Sequence, residues 1–211
     1  MKASRYTVFI ILIIVSGFLP ASSQFKSLDW QVLERNDGVA VFGRGVDGRP
    51  SSQEIKAVTQ VPQSPEALLA LMVDYPNATT WRRNVKRVTK DRSIDRDNWF
   101  IHYVTDLPWP LDDRVAYLRC KVLRDNISGT ITYAFESTPT EGGLGEEETL
   151  SGSYMFVPQG NGKTEVIYQV ILDSPVKVPD WLVNALIGGS FMTQMEMLKD
   201  AVARPRYMAA D

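Results

Sequence analysis

Residues 85–173 are a run of strand-like segments joined by short, turn-rich links, and this run limits the possible folds more than any other feature of the chain. The segments are 85–90, 99–105, 115–123, 129–137, 148–158 and 164–173, most of them rich in β-branched or aromatic residues. Asp95-Arg96-Asp97-Asn98, Asp125-Asn126 and Gln159-Gly160-Asn161-Gly162 supply turn chemistry between them. Consecutive strands with links this short predict an antiparallel meander. One link is unusual. Asp106-Leu107-Pro108-Trp109-Pro110-Leu111-Asp112-Asp113-Arg114 carries two prolines, which cannot donate to a sheet ladder and which push Leu107 and Trp109 into extended conformations. A stiff corner holding Trp109 in place is expected there, with Asp112 and Asp113 accepting from backbone N–H groups or from Arg114.

The rest of the chain fits around this run. Residues 27–34 predict a short helix, and 39–46 with 54–61 predict a strand pair joined by Asp47-Gly48-Arg49-Pro50. Ser64-Pro65-Glu66 is a helix start: a hydroxyl cap, a proline at the first helical position and an acid in the first turn. Leu68, Leu69, Leu71, Met72 and Val73 make that helix apolar around most of its girth, so it is expected to be buried. Tyr75-Pro76 ends it, and 78–84 adds another turn or two carrying Trp81. A long helix is predicted from Pro179 to about residue 203, ended by Pro205. Strand pair, helix, strands and long helix make an α+β order, a curved antiparallel sheet wrapped around the last helix.

Residues 1–23 have the form of a secretory signal. Lys2 and Arg5 precede an apolar stretch at 6–19, and Ala21-Ser22-Ser23 places small residues before a cut at Gln24. The apolar stretch is shorter than the roughly 20 residues that span a bilayer. The expectation is therefore an exported protein, periplasmic in a Gram-negative bacterium and secreted otherwise, with one domain at 24–211. Formal net charge is −2 for the chain, and −4 once Lys2 and Arg5 leave with the signal. That balance points away from nucleic acid and from strong attraction to an anionic membrane surface. Cys120 is the single cysteine, so intramolecular disulfides and cysteine-based metal clusters are excluded and the thiol belongs to the core.

Chemistry-bearing patterns are few. His102, the one histidine, sits mid-strand among aromatics, with no serine and acid spaced as a triad would need. The acids cluster in loops, as in Glu146-Glu147-Glu148, where a solvated face explains them. No phosphate loop, metal-ligand spacing or nucleotide fingerprint is present, and no cofactor is implied.

Three segments, in order, carry a family resemblance. Pro108-Trp109-Pro110-Leu111-Asp112-Asp113-Arg114 resembles the Pro-Trp-Pro-Leu-x-Asp-Arg-Asp segment of START (StAR-related lipid-transfer) domains, with Val115 where that pattern has its last aspartate. Gly152-Ser153-Tyr154-Met155-Phe156-Val157-Pro158, continuing to Tyr168, is the second match. Val178-Pro179-Asp180-Trp181-Leu182-Val183-Asn184, before the last helix, is the third. The resemblance spans roughly residues 27–205 and implies the helix-grip fold. It also implies a monomeric, non-catalytic protein that binds or transfers a lipid or sterol-like molecule in an internal cavity, with transient membrane contact. A helix-grip enzyme of cyclase type and an interaction module without ligand are the alternatives.

The resemblance also suggests the site. Arg119 interrupts an apolar strand, and alternation puts it on the face of Val115, Tyr117 and Lys121, pointing to solvent. The START resemblance instead implies an arginine inside the cavity, at a place where Tyr103 stands for the acid that would pair with it. Trp81, Tyr117, Trp181, Met192 and Met195 complete the expected ligand contacts. In the last helix Trp181, Ala185, Gly188, Met192, Met195 and Val202 share one face, and Gly188-Gly189 weakens it by about 1 kcal/mol per glycine relative to alanine. A weak, methionine-lined helix suits a lid. Leu144, in the loop 138–148, is the expected other half of that gate.

Overall fold

The computed structural model describes residues 28–106, 109, 112–138, 150–173 and 180–208, without the side chains of 49–51, 172–173 and 180–188. Nine strands build one antiparallel sheet: β1 (Gln31–Asn36), β2 (Val39–Val46), β3 (Arg49–Val61), β4 (Val85–Ser93), β5 (Asn98–Thr105), β6 (Arg114–Arg124), β7 (Ile131–Ser137), β8 (Leu150–Gly160) and β9 (Lys163–Asp173). Their order is β1-β2-β3-β9-β8-β7-β6-β5-β4. The expected meander therefore runs unbroken from β4 to β9, and β3 joins it to the N-terminal strands by pairing Val58 with Ile167.

The helix expected at 27–34 is not there, since β1 pairs with β2, Val32 opposite Phe42. Asp37 (φ 44°) and Gly38 (φ 73°) both take positive φ, as an Asp-Gly hairpin requires. That turn, and a partner strand to pair with, outweigh the local helical pattern. Helix α1 (Pro65–Val73) begins as its sequence indicates, the Ser64 hydroxyl accepting from the Ala67 N–H at 3.2 Å. Leu68, Leu71 and Met72 are fully buried. A 3-10 turn at Tyr75–Thr80 then leads through Trp81 into β4. The long helix α2 (Asp180–Val202) lies on β1, β2, β3 and α1, with Met195, Leu198, Ala201 and Val202 entirely buried.

Strand alternation divides the sheet into two faces. Ile101 and Tyr103 of β5, Leu118 and Cys120 of β6, Tyr133 and Phe135 of β7, Tyr154 of β8 and Tyr168 of β9 share the face toward α2. Gly152 is fixed by this packing. A Cβ there would lie 2.4 Å from the Gln169 carbonyl oxygen and 2.9 Å from the Phe135 ring. The two prolines of the corner lie outside the described residues; Trp109 is 92% exposed, and Asp113 pairs with Lys86 of β4 at 2.5 Å.

Candidate functional site

Between α2 and the sheet lies a cavity of about 130 Å³. Ile101, Tyr103, Leu118, Tyr133, Phe135, Leu150, Tyr154 and Tyr168 form its sheet wall, and Ser190, Phe191 and Gln194 its helix wall. Arg82, Arg83 and Asn84, from the stretch entering β4, close the remaining side. Cross-strand register assembles the aromatic part: Tyr133 stands opposite Tyr154, and Tyr154 opposite Tyr168. Tyr154 and Tyr168 stack with centroids 4.2 Å apart and planes within 3°. Phe191 continues the stack onto Tyr168 at 5.4 Å.

Arg82 is the charged group at the centre of this arrangement, only 8% exposed. Its Nη2 donates to the Met72 carbonyl at 3.1 Å, while its Nε is buried with no hydrogen-bond partner. The guanidinium lies 4.7 Å from the Trp81 ring centroid and 6.0 Å from that of Tyr103. Burial works against the cation, and the electron-rich oxygens of Tyr103, Tyr133, Tyr154 and Tyr75 work for it, leaving its pKa above the ordinary arginine value. Gln194 holds the backbone on either side of this residue. Its Oε1 accepts from the Arg83 N–H at 2.9 Å and its Nε2 donates to the Trp81 carbonyl at 3.3 Å.

Behind the wall runs a chain of buried polar groups. Trp99 Nε1 donates to Tyr75 Oη at 2.5 Å, Tyr75 and Tyr133 share a hydrogen bond of 3.2 Å, and Tyr133 Oη donates to Cys120 Sγ at 3.1 Å. Burial pushes the Tyr133, Tyr154 and Tyr168 hydroxyls up and the Cys120 thiol up to about 11. All four stay protonated at neutral pH, as hydrogen-bonding groups rather than bases or nucleophiles.

Of the residues expected at the site, Tyr103 lines the cavity. Arg119 does not. It is exposed on the opposite face, in register with Phe100 and Glu136, as simple alternation along β6 requires. Tyr117 shares that outer face, stacked on Phe100 at 5.2 Å and donating to Asp91 at 2.6 Å. His102 is there too, 4.8 Å from Tyr117, across the sheet from the cavity. Trp81 is fully buried in the core and acts as the platform under Arg82. Met192 and Met195 are buried but face the core, because the cavity takes the adjacent stripe of α2 with Phe191 and Gln194. Gly189 is exposed, with open space where a Cβ would stand. Leu144 and the side-chain environments of Trp181 and Gly188 lie outside the described residues. Arg82 itself was visible in the sequence only as half of an Arg-Arg pair after a tryptophan, a pattern that does not separate the buried member from the exposed one.

No established family profile matches the chain. An uncharacterized protein of Pseudomonas aeruginosa is 24% identical over 180 residues, covering 83% of this chain and 88% of that one. A STAR-related lipid transfer protein from Xanthomonas axonopodis superposes with a TM-score of 0.73 at 18% identity, over 83% of this chain and 99% of that one. This is a START fold. Human StAR-related lipid transfer protein 5 has the same fold, with a TM-score of 0.71 at 18% identity over 82% of this chain and 86% of its own. The Zhui aromatase/cyclase from Streptomyces is more distant within the helix-grip architecture, with a TM-score of 0.52 at 11% identity over 75% and 97% of the two chains. In the START fold as built here, the curved sheet and α2 supply the walls, and the residues between α1 and β4 supply the charge.

Proposed function

We propose that this protein binds a hydrophobic or amphiphilic small molecule, of lipid type, in the cavity beneath α2, and does so without catalysis. The observation that carries this reading is the aromatic sheet wall facing Phe191 and Gln194 of α2. An alkyl chain recovers about 0.8 kcal/mol for each CH₂ it moves out of water, so a dry aromatic wall is a strong trap for one. At about 130 Å³ the cavity is smaller than the roughly 300 Å³ at which pockets for drug-sized ligands begin. A long chain therefore enters as Phe191 and its helix give way, and helix displacement sets the exchange rate. An interaction module without ligand would keep Arg82 buried with its Nε–H unpaired, which argues against it.

A cyclase-like enzyme is the second reading, favoured by the distant helix-grip likeness and by tyrosine hydroxyls that could polarise a carbonyl. The cavity wall, among the described residues, offers arginines and protonated tyrosines but no acid, histidine or cysteine to move a proton. That chemistry suits holding a ligand better than transforming it. The signal-like residues 1–23 support export, with ligand exchange occurring outside the cytoplasm. Among the described residues no helix is long and apolar enough to cross a membrane. Native mass spectrometry of the purified protein, followed by extraction of whatever it carries, tests the reading. An apolar or amphiphilic molecule in stoichiometric amount is expected. Turnover of a bound polyketide-like substrate would replace binding by catalysis.

A further inference from the structure

We propose that the ligand is an anionic amphiphile, with a carboxylate or phosphate head received by Arg82. This rests on the lipid-binding reading above and adds the chemical class of the head. A guanidinium carries five N–H donors and no acceptor. In Arg82 one donor goes to the Met72 carbonyl, and the Nε–H goes to nothing although the side chain is buried. Among the described residues no carboxylate forms an ion pair with it, and none lines the cavity. The Trp81 and Tyr103 rings attract the charge, but their faces offer no oxygen to the N–H groups.

The cation is thus desolvated, positioned and incompletely paired, a combination that is costly unless something else supplies the acceptor. Gln194 cannot do so, because both ends of its amide are committed to the backbone flanking Arg82. That amide holds the backbone on either side of Arg82, while the Met72 carbonyl and the Trp81 ring hold the guanidinium, so little ordering is left for the ligand to bring about. Arg83, exposed at the rim, adds a second positive charge to the same opening. A neutral hydroxyl would accept one hydrogen bond and leave the charge uncompensated. A carboxylate or phosphate accepts two and neutralises it.

The test is a calorimetric titration of the protein, expressed from its full-length sequence, with laurate, dodecyl phosphate, dodecanol and inorganic phosphate. Laurate or dodecyl phosphate is expected to bind at least about ten-fold more tightly than dodecanol, as a buried charge-assisted contact implies. Arg82→Gln should erase that preference, bringing laurate and dodecyl phosphate down to the affinity of dodecanol. Equal affinity of the wild type for laurate, dodecyl phosphate and dodecanol overturns the anionic head and leaves the lipid reading standing, and this comparison needs no variant. Inorganic phosphate binding as tightly as dodecyl phosphate would assign Arg82 to a free anion, against the proposal. Binding of none of the alkyl ligands overturns both readings. A preference that survives Arg82→Gln removes Arg82 from the role.

Discussion

Arg82 and Arg119 are the same side chain in opposite circumstances, and the contrast comes from backbone geometry. Arg119 occupies an odd position on β6 whose even neighbours Leu118 and Cys120 are buried, so the pleat sends it to water. Arg82 sits where the chain leaves a 3-10 turn, and no simple period decides its direction. Arg119→Met should accordingly change laurate affinity less than about two-fold, the scale of an exposed substitution away from a site. A ten-fold loss in the same titration would return Arg119 to the binding machinery. The expectation that Arg119 lies in the cavity is corrected, since the residue is exposed on the outer face of the sheet. Alternation along the strand gave the right answer for Arg119, and the motif resemblance gave the wrong one.

At the scale of elements, the contacts of α2 and the C-terminal turn matter most. Gln194 of α2 grips the backbone on both sides of Arg82. Gln194→Leu removes both hydrogen bonds and leaves the Arg83 N–H and the Trp81 carbonyl without these partners. The expected cost is about 1–3 kcal/mol in urea denaturation, with weakened laurate binding as the guanidinium loses its support. A second tie joins the 3-10 turn at Pro205–Tyr207 to the end of α1, where Tyr207 donates to Asp74 at 2.5 Å and Arg206 lies 3.8 Å away. Burial raises the Asp74 pKa, but the hydrogen bonds from Tyr207 and Asn77 and the charge of Arg206 outweigh it, so the carboxyl titrates below its ordinary value of 3.8. A carboxyl depressed by folding contributes stability that is complete above its unfolded pKa, about 3.9, and is lost as pH falls through the lower folded value. Tyr207→Phe should therefore lower the urea midpoint at pH 7, and the gap to wild type should narrow below about pH 4. A gap independent of pH would mean that Tyr207 acts by packing alone.

The described residues form one nine-stranded sheet with α2 packed on it, and the charge of the cavity comes from residues between α1 and β4. With a single cysteine no intramolecular disulfide can form, so stability rests on the packed core, in which Cys120 is a buried, protonated thiol. If residues 1–23 direct export, the protein recovered outside the cytoplasm begins at or near Gln24. Mass spectrometry of the intact protein would read this directly, and Met1 retained on membrane-bound material would instead indicate an anchor.

Most of the meander was legible in the sequence because turn residues and two-residue alternation are local. The expected segments 99–105 and 164–173 fall within one residue of β5 and β9, and Ser64 caps α1 as its neighbours indicate. The same local rules placed Arg119 in water. Tertiary structure alone decided that residues 31–36 become a strand, because their extended form is stabilised by β2 across the Asp37-Gly38 turn. It also decided which stripe of α2 meets the cavity. Met192 and Phe191 are neighbours about 100° apart on one helix, and both are apolar, so composition does not choose between them. The packing of α2 on the sheet makes the choice. These are relations between elements far apart in the chain, which no window of sequence contains.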